Sequence, residues 1–383
     1  MSDSLREKIL GLVREYAKTN TARAPFEPGQ SRVNYADRIF NEDDVLALVD
    51  SALDSWITLG PHGAAFEKDF AKFVGTRFSL VANSGSSANL LAIAALCSPE
   101  MGDRQLQAGG EVITPALTFP TTLAPLAIYG LKPVFLDVEV GTYDIRTDLL
   151  EAAVTPRTRA IVIPHTLGNP CQMDHVMAVV KKHNLFLMED TCDALDSLWD
   201  GKKVGTFGDL ATCSFYAAHH MTMGEGGAVM MNSPELMKIV RSIRDWGRAC
   251  WCATGEKHPL GACRNRFGHE FPGLPKHYDH KYTYTNIGYN LKPTDLQCAV
   301  GRVQLAKVPE FTQARKRNFG KLYKHFAKYE DVFILPRSHA KADPSWFSFP
   351  ITVKENAKFG RDDIVKFLEA KNIETRMIFS GNI

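Results

Sequence analysis

Two adjacent histidines, His219 and His220, stand between two apolar segments in the middle of the chain. The β-branched and aromatic segment 210–216 precedes them, and a glycine-containing turn at 224–227 leads into the apolar segment 228–231. A strand end followed by a turn that carries a proton-transfer group is typical of the carboxyl edge of an α/β sheet. Because imidazole gains and loses protons near neutral pH, His219 is a candidate acid or base. Without further context, such a pair is more often a core or surface feature.

A second candidate site is the turn 84–89, with the sequence Ser-Gly-Ser-Ser-Ala-Asn, between an apolar segment and a helical pattern. Backbone N–H groups of Gly85, Ser86 and Ser87 at such a helix start could hold a phosphate group. The turn contains neither the Gly-Lys-Ser/Thr sequence of a Walker loop nor a Gly-x-Gly-x-x-Gly pattern. By itself it is equally compatible with an ordinary strand-to-helix connection.

Four of the eight cysteines have a spacing that could serve a metal. Cys192, Cys250, Cys252 and Cys263 follow the pattern C-x57-C-x-C-x10-C. Taken alone, four thiolates favour a structural zinc site. The other four cysteines are expected to be buried thiols: Cys97, Cys171, Cys213 and Cys298.

The charge balance and the distribution of apolar residues exclude some classes of function. The 383 residues include 45 basic and 43 acidic side chains, a balance that indicates neither a nucleic-acid partner nor a membrane surface. The first residues carry acidic and polar side chains rather than a signal-peptide pattern, and no apolar segment is long enough to span a bilayer. We therefore expect a cytoplasmic protein whose cysteines are thiols or metal ligands rather than disulfides.

Short apolar segments that alternate with helical patterns must position these groups. This alternation predicts an α/β protein with a mostly parallel sheet covered on both faces. The segments predicted as strands are 78–82, 111–114, 133–138, 160–165, 185–190, 210–216 and 228–231.

We predict three regions along the chain. Residues 1–60 form an N-terminal helical segment, and residues 61–300 form a large α/β domain with a Gly-, Pro-, His- and Cys-rich insertion at about 250–281. Residues 301–383 form a smaller C-terminal α+β domain with a strand at 347–353 and a helix at 362–370. The chain stops soon after another apolar segment; the family resemblance given below implies that this domain is truncated.

From about residue 35 to residue 383, the order of these motifs resembles the fold type I PLP-dependent sugar aminotransferases and dehydrases. The resemblance implies that the turn 84–89 and Ser214 bind the phosphate of a pyridoxal or pyridoxamine cofactor. It also implies that Phe119 stacks on the cofactor ring and that Asp190 pairs with the pyridinium nitrogen.

One exchange sets this chain apart from the aminotransferases of that family. Where they have the Schiff-base lysine, this sequence has His219, which resembles the 4-keto-6-deoxyhexose 3-dehydrases. The implied cofactor is pyridoxamine 5′-phosphate (PMP), with His219, Asp193 and Tyr216 as catalytic residues. Phe347 and His220 would contact the substrate.

Further features resemble the iron–sulfur branch of those dehydrases. Its members hold a [2Fe–2S] cluster on four cysteines, here Cys192, Cys250, Cys252 and Cys263, the last after an unusually long interval. The implied reaction is C3 dehydration of a CDP-linked 4-keto-6-deoxy-D-glucose in 3,6-dideoxysugar and lipopolysaccharide O-antigen biosynthesis. The implied electron donor is an NADH-dependent flavin/iron–sulfur reductase. Asn290 resembles the residue that reaches the neighbouring subunit's cofactor phosphate, which implies a homodimer.

Three alternatives remain open at this point. The nucleotide could be dTDP rather than CDP. A 4-ketosugar aminotransferase would need a Schiff-base lysine, for which Lys202 and Lys203 are the nearby candidates. A structural zinc protein would explain the cysteines but would leave His219 and Asp190 without a role.

Overall fold

The computed structural model describes residues 2–22, 24–37, 39–250, 252 and 263–379. Its helices are α1 Ser2–Asn20, α2 Glu42–Leu53, α3 Pro61–Val74, α4 Gly85–Leu96, α5 Pro120–Ile128, α6 Leu150–Ala153, α7 Met173–His183, α8 Pro234–Arg244, α9 Asp295–Phe326 and α10 Arg361–Ala370. Its strands are β1 Phe78–Ala82, β2 Glu111–Pro115, β3 Lys132–Leu136, β4 Thr158–Pro164, β5 Phe186–Asp190, β6 Leu198–Trp199, β7 Lys202–Lys203, β8 Leu210–Ser214, β9 Gly227–Met231, β10 Phe333–Ile334, β11 Ala342–Asp343 and β12 Thr352–Val353.

The large domain is built on a seven-stranded sheet with the order β1-β9-β8-β5-β4-β2-β3. The pairs β2–β3, β2–β4, β4–β5 and β5–β8 are parallel, whereas β9 runs antiparallel to both β1 and β8. The carboxyl ends of β5 and β8 therefore lie side by side. The predicted α/β class with a mostly parallel sheet is confirmed.

Helices cover both faces of this sheet because its central strands are apolar on both sides. In β9, Val229 belongs to the core under α4, α5 and α8, while its neighbours Ala228 and Met230 belong to the core under α3 and α9. A third cluster lies under α7. Burial on both faces explains why the strands are continuous apolar segments rather than alternating ones.

Helix α9 leads from the large domain into the C-terminal region. Thr294 and Gln297 form a capping box at its start, and its buried residues lie between Asp295 and Thr312, nearer the start of the helix than its end. The region beyond α9 contains β10, β12 and α10, so the predicted helix at 362–370 is present as Arg361–Ala370. The strand predicted at 347–353 is shorter and comprises only Thr352–Val353.

The predicted insertion at 250–281 lies partly outside the described residues, which include 250, 252 and 263–281. Backbone bridges join Asp245 to Asn290 and Arg248 to Tyr284, so the segments on either side of the insertion run together as an antiparallel pair. Within the described part of the insertion, the short helical turn His280–Tyr282 begins at an Asp279 cap. None of the helices among the described residues has the length and apolarity needed to cross a membrane.

Candidate active site

A pocket opens at the carboxyl edge of the sheet, where β5 and β8 end. Its described lining comprises Gly85, Ser86, Asn89, Phe119, Thr121, Thr122, Pro164, His165, Asp190, Cys192, Asp193, Ser214, His219 and Phe379. These residues come from separate segments, joined because parallel strands place their carboxyl ends at one edge. The fold thus brings most of the predicted cofactor residues, together with His219 and Asp193, into one cavity.

The start of α4 forms one wall of the pocket. The Oγ atom of Ser84 accepts a hydrogen bond from the backbone N–H of Ser87 at 3.0 Å, so Ser84 caps the helix and Ser87 takes part in the cap rather than lining the cavity. Ser86 Oγ donates to Thr121 Oγ1 at 2.9 Å. A helix N-terminus with hydroxyl groups beside it fits a phosphate.

Gly85 is the position where α4 meets β8 most closely. A Cβ atom on Gly85 would lie 2.5 Å from Ser214 Cβ and 3.1 Å from Cys192 Sγ. Only a residue without a side chain therefore allows the helix start and the strand end to meet. Ser214 is buried here, next to the site proposed for a phosphate.

Asp190 ends β5 as a buried carboxylate with three donors. Its Oδ2 atom accepts hydrogen bonds from Asn89 Nδ2 at 2.9 Å and Thr122 Oγ1 at 2.7 Å. Its Oδ1 atom accepts from the backbone N–H of Cys192 at 3.1 Å. An acid held in this way fits a protonated ring nitrogen as its counter-charge.

Sequence reasoning did not identify Asn89 and Thr122 as site residues. Asn89 is fixed in turn by Thr212, whose Oγ1 donates to Asn89 Oδ1 at 2.6 Å. The available signal was a lone amide in α4, a helix that is otherwise small or apolar after its first turn. A buried amide on such a helix must find partners, here Asp190 and Thr212.

Phe119 lies at the mouth of the pocket and is about half exposed, with 51% of its surface accessible. It is the residue before α5, and its ring lies 6.3 Å from that of Phe379 in an edge-on arrangement. A large exposed apolar ring beside Asp190 and the start of α4 suits a flat aromatic ligand. The start of α4 with Ser86 (the phosphate cradle), the carboxylate of Asp190 and the ring of Phe119 together fit a pyridoxal-type cofactor.

His219 reaches the same pocket from the turn after β8. Its Nδ1 atom lies 3.4 Å from Asp193 Oδ1, and both side chains are largely buried. The rings of Tyr216 and Phe347 lie 6.4 Å and 5.3 Å from its imidazole. Because Nδ1 faces the carboxylate, Nε2 is the nitrogen left to exchange a proton with a ligand.

Arg315, on α9, is a residue near the site that sequence reasoning missed. Its guanidinium donates to the backbone carbonyls of His219 at 3.3 Å and Phe347 at 3.0 Å. Burial lowers the pKa of Arg315 to about 10, while the Asp193 carboxylate acts in the opposite direction. Since α9 shows no feature that separates this arginine from its neighbours, only the folded structure identifies it.

His220 does not line the pocket, although it follows His219 directly. It is buried, and its Nε2 donates to the carbonyl of Ser345 at 2.6 Å. Burial, aided by the charge of Arg315, holds the pKa of His220 well below its usual value. This geometry places His220 in the protein interior, and its predicted contact with a substrate stays a prediction.

Asn290 also lies outside the described lining of the pocket. It is exposed, and its Oδ1 atom accepts a hydrogen bond from Lys292 Nζ at 2.7 Å. Its predicted contact with a neighbouring subunit's cofactor stays a prediction.

The lysines considered for an aminotransferase point elsewhere. Lys202 Nζ donates to the carbonyl of Thr206, and Lys203 Nζ donates to the carbonyl of Phe73 and pairs with Asp196. The described lining of the pocket contains no lysine.

The four cysteines predicted as metal ligands fall into two places. Cys192 lies in the pocket wall, where burial and the neighbouring Asp190 raise the pKa of its thiol well above the usual value. Cys250 and Cys252 lie instead with His280, and Cys263 lies with His269 and His280. The described residues of one chain therefore do not assemble the predicted set of four thiols.

The remaining cysteines behave as predicted for thiols. All eight cysteines lie within the described residues, and none forms a disulfide. Cys171, Cys213 and Cys298 are buried, and Cys97 is partly buried. Burial raises the pKa of Cys97 to about 12, which keeps this thiol protonated.

Comparison with known proteins agrees with this geometry. The chain is 48% identical to the lipopolysaccharide biosynthesis protein RfbH of Salmonella typhimurium, over 100% of this chain and 87% of the relative. It is 47% identical to the dTDP-4-dehydro-2,6-dideoxy-D-glucose 3-dehydratase of Saccharopolyspora spinosa, over 100% of this chain and 82% of the relative.

A solved structure shares the fold. It is a GDP-4-keto-6-deoxymannose-3-dehydratase with a trapped PLP-glutamate geminal diamine, with a TM-score of 0.81 and 29% identity over 91% of this chain and 86% of that chain. The model of the DegT/DnrJ/EryC1/StrS aminotransferase family matches residues 40–383. The chain therefore belongs to this family and has its fold type I architecture.

Proposed function

We propose that this protein removes the C3 hydroxyl group from a nucleotide-linked 4-keto-6-deoxyhexose, with PMP as its cofactor. The observation that carries this proposal is His219, which stands beside Asp193 in a cofactor-shaped pocket whose described lining has no lysine. A histidine can move protons but cannot form a stable Schiff base, so the site suits dehydration better than transamination. Two similar proteins named as sugar 3-dehydratases support the same reaction.

Different residues around the cavity would bind different parts of the cofactor. Backbone N–H groups at the start of α4, with Ser86 and Ser214, would bind the phosphate. Asp190 would hold the proton of the ring nitrogen, and Phe119 would cover one face of the ring. When bound, PMP supplies an amine that condenses with the substrate ketone and a ring that withdraws electrons.

His219 performs the proton transfer in this proposal. Its Nε2 atom takes a proton from the aminomethyl carbon of the cofactor, while Asp193 holds Nδ1 and so fixes which nitrogen acts as the base. Tyr216 and Phe347 flank the imidazole and are positioned to contact the sugar. Closure of the site around the sugar would keep water from the reacting atoms.

The proposal also concerns which nucleotide is linked to the sugar substrate. The sequence resemblance favours CDP, but one of the similar proteins is named for a dTDP-linked sugar and covers the whole of this chain. We therefore place a dTDP-linked 4-keto-2,6-dideoxyhexose first among the substrates to test and the CDP-linked 4-keto-6-deoxyhexose second. The 48% identity to a protein named for lipopolysaccharide biosynthesis supports the class of product.

We also propose a homodimer, in which Asn290 serves the partner's cofactor, and a separate NADH-dependent reductase that supplies electrons for net reduction. The [2Fe–2S] cluster implied by the resemblance needs Cys192 together with three cysteines that lie around His280. Since the described residues of one chain do not assemble those four thiols, we route no step through the cluster.

The test is proton exchange and product analysis with purified protein. In D2O with PMP and each sugar nucleotide, we expect loss of the C4′ proton signal of PMP, followed by NMR. When NADH and an electron-transferring reductase are added, we expect a C3-deoxygenated sugar nucleotide, detected by mass spectrometry, with the C3 hydroxyl group lost as water. Stoichiometric conversion to a 4-aminosugar with glutamate as donor would instead identify an aminotransferase. Absence of C4′ exchange with all sugar nucleotides would contradict the proposed reaction.

A further inference from the structure

Helix α9 contacts the turn that carries His219 at two points. Gln304 Oε1 accepts a hydrogen bond from the backbone N–H of Thr222 at 3.3 Å. The Nη2 atom of Arg315 donates to the backbone carbonyl of His219, also at 3.3 Å. Gln304 and Arg315 are about three helical turns apart in α9, so they lie on the same face of the helix. This face therefore holds the turn at His219 itself and again just after it.

The guanidinium of Arg315 also holds a second segment, 345–347, which carries the ring of Phe347. Its Nη1 atom donates to the carbonyl of Phe347 at 3.0 Å and, at 3.4 Å, to that of Trp346. The centre of the guanidinium lies 6.0 Å from the ring of Phe347, at the outer limit of a cation–π contact. One planar group thus joins two separate segments of the chain, which suits the fixed fork of arginine better than the single ammonium of lysine.

The segment 345–347 is itself fixed to the large domain. The backbone N–H of Ser345 donates to Ser197 Oγ at 2.8 Å. The backbone N–H of Phe347 donates to the carbonyl of Leu167, also at 2.8 Å. Because its N–H groups are bound in this way, the segment is a firm support, and the guanidinium transmits that support to the turn.

Arg315 acts from a partly buried position behind the pocket. Burial lowers its pKa to about 10, which still leaves the guanidinium charged at neutral pH. Hydrogen bonds from a charged donor are stronger than those between neutral groups. Arg315 is not part of the described lining of the pocket, so any effect on the reaction passes through the residues that it holds.

We propose that Arg315 is a positioning residue, which fixes the imidazole of His219 against Asp193 and beside the ring of Phe347. It does so through the backbone, by binding the carbonyls of both His219 and Phe347. A displacement of about 1 Å at a reacting group can lower a rate about 10²-fold, so the contact matters to catalysis. The inference rests on the proposed role of His219 as the base, but the geometry of the imidazole can be measured without the reaction.

The experiment compares the unmutated chain with Arg315→Ala, Arg315→Lys and Arg317→Ala. Arg315→Lys keeps the charge and covers the case in which Arg315→Ala does not fold. Arg317→Ala is the matched control because Arg317 is an exposed arginine on the same helix. For each protein we measure C4′ proton exchange of PMP with the sugar nucleotide, the affinity for PMP by fluorescence titration, and the ring signals of ¹⁵N-labelled histidines by NMR. The signal that is missing in His219→Asn identifies His219.

We expect Arg315→Ala to slow C4′ exchange at saturating ligands about 10²-fold, while the Kd for PMP changes less than about twofold because the phosphate cradle and Asp190 lie on other elements. Guanidinium ion at roughly 50 mM, far below unfolding concentrations, should restore exchange at least about tenfold, whereas tetramethylammonium, which donates no hydrogen bond, should not. Arg315→Lys should also be slow, since an ammonium lacks the fork that joins both segments. The His219 ring signals should shift in both variants, and Arg317→Ala should match the unmutated protein.

Unchanged His219 ring signals in the Arg315 variants overturn the proposal, as does C4′ exchange at the unmutated rate in either of them. Slow exchange with an equal loss of PMP affinity, or without rescue by guanidinium, would assign Arg315 a purely structural role and would also overturn it. If the unmutated protein shows no C4′ exchange with any sugar nucleotide, the proposed dehydration fails. The His219 ring signals then still decide whether Arg315 fixes the imidazole, so the two failures are distinguished.

Discussion

The Nδ1 atom of His219 lies 3.4 Å from the Oδ1 atom of Asp193, in the lining of a pocket that also contains Asp190. The two carboxylates are only three residues apart in sequence, yet they face different groups. Asp190 accepts three hydrogen bonds, two of them from Asn89 and Thr122, whereas Asp193 faces an imidazole. The site therefore separates a carboxylate with three hydrogen-bond donors from a carboxylate that faces a histidine.

Replacing His219 by asparagine removes the proposed base while leaving the phosphate cradle and Asp190 intact. We expect His219→Asn to slow C4′ proton exchange of PMP by about 10²–10⁴-fold, the usual loss for a positioned proton-transfer group. Binding of PMP, measured by fluorescence titration, should change little. A mild effect here, with loss of exchange in His220→Asn, would mean that the base is the second histidine.

Replacing Asp193 by asparagine tests the orientation of the base. Asp193→Asn keeps the size of the side chain but replaces the carboxylate that faces Nδ1 of His219 by a neutral amide that can also donate a hydrogen bond, so the wrong nitrogen can carry the proton. We expect the turnover number to fall by about 10²-fold or more, with little change in KM, because a tautomer error affects the chemical step. Equal turnover in Asp193→Asn and the unmutated enzyme would contradict this role.

Replacing His219 by lysine restores the amine that family aminotransferases have. We expect His219→Lys to bind pyridoxal phosphate covalently, with visible absorption and a stable product after borohydride reduction. The unmutated protein should give no such product, since no lysine stands among the described pocket residues. A borohydride-trapped lysine peptide from the unmutated chain, identified by mass spectrometry, would contradict the proposed dehydratase.

The buried His220 predicts a pH dependence of stability. Its pKa is held well below the usual value, so the unfolded chain binds a proton that the folded chain does not. Stability therefore rises with pH up to about 6.5 and is lost as the pH falls below it, with a slope of at most about 1.4 kcal/mol per pH unit. Denaturant unfolding between pH 5 and 7 measures this slope, which should decrease in His220→Gln.

The matched control for this slope is His183→Gln, which removes a partly exposed histidine at the end of α7. A slope in His220→Gln identical to that of the unmutated protein would show that other groups cause the acid sensitivity.

Gly85 predicts a steric effect on the phosphate cradle. In Gly85→Ala the new methyl group would lie 2.5 Å from Ser214 Cβ, so α4 and β8 must move apart. We expect weaker PMP binding and a loss of about 1–3 kcal/mol in the free energy of unfolding, as for other overpacked sites. Gly11→Ala, in α1 with no atom within 4 Å of the new methyl group, should be neutral or stabilising.

Much of this architecture could be predicted because its signals are local. Segments such as 186–190 and 210–214 are apolar on both faces, which predicts buried strands, and their polar ends predict a site at one edge. The roles proposed for His219 and Asp190 rest on a motif order that spans most of the chain. The α/β class, the mostly parallel sheet and the pyridoxal-type family are accordingly confirmed.

The features that could not be predicted depend on contacts between distant segments. Arg315 reaches the backbone of His219 from 96 positions away, and nothing in its local sequence distinguishes it from other arginines. His280 meets Cys250 and Cys252 only because the segments around 248 and 284 pair. The position of Cys192 could not be predicted either. Its spacing in the sequence grouped it with Cys250, Cys252 and Cys263, whereas the fold places it in the wall of the cofactor pocket.

The position of β9 has a consequence for the order in which the protein can be made. Strand β1, which leads into the phosphate-binding helix, pairs with β9, and their registers join Ala82 to Gly227 and Phe78 to Met231. During synthesis on the ribosome, β1 emerges about 150 residues before this partner, a delay of roughly 8–30 s at 5–20 residues per second. In the finished fold, the backbone of Gly227 packs so closely on Ser84 that a Cβ atom at Gly227 would clash with the Ser84 carbonyl oxygen. Until β9 is synthesised, the turn around Gly85 lacks this neighbour. The cofactor site is thus completed late, and PMP has no finished site to stabilise while the first half of the sheet is being made.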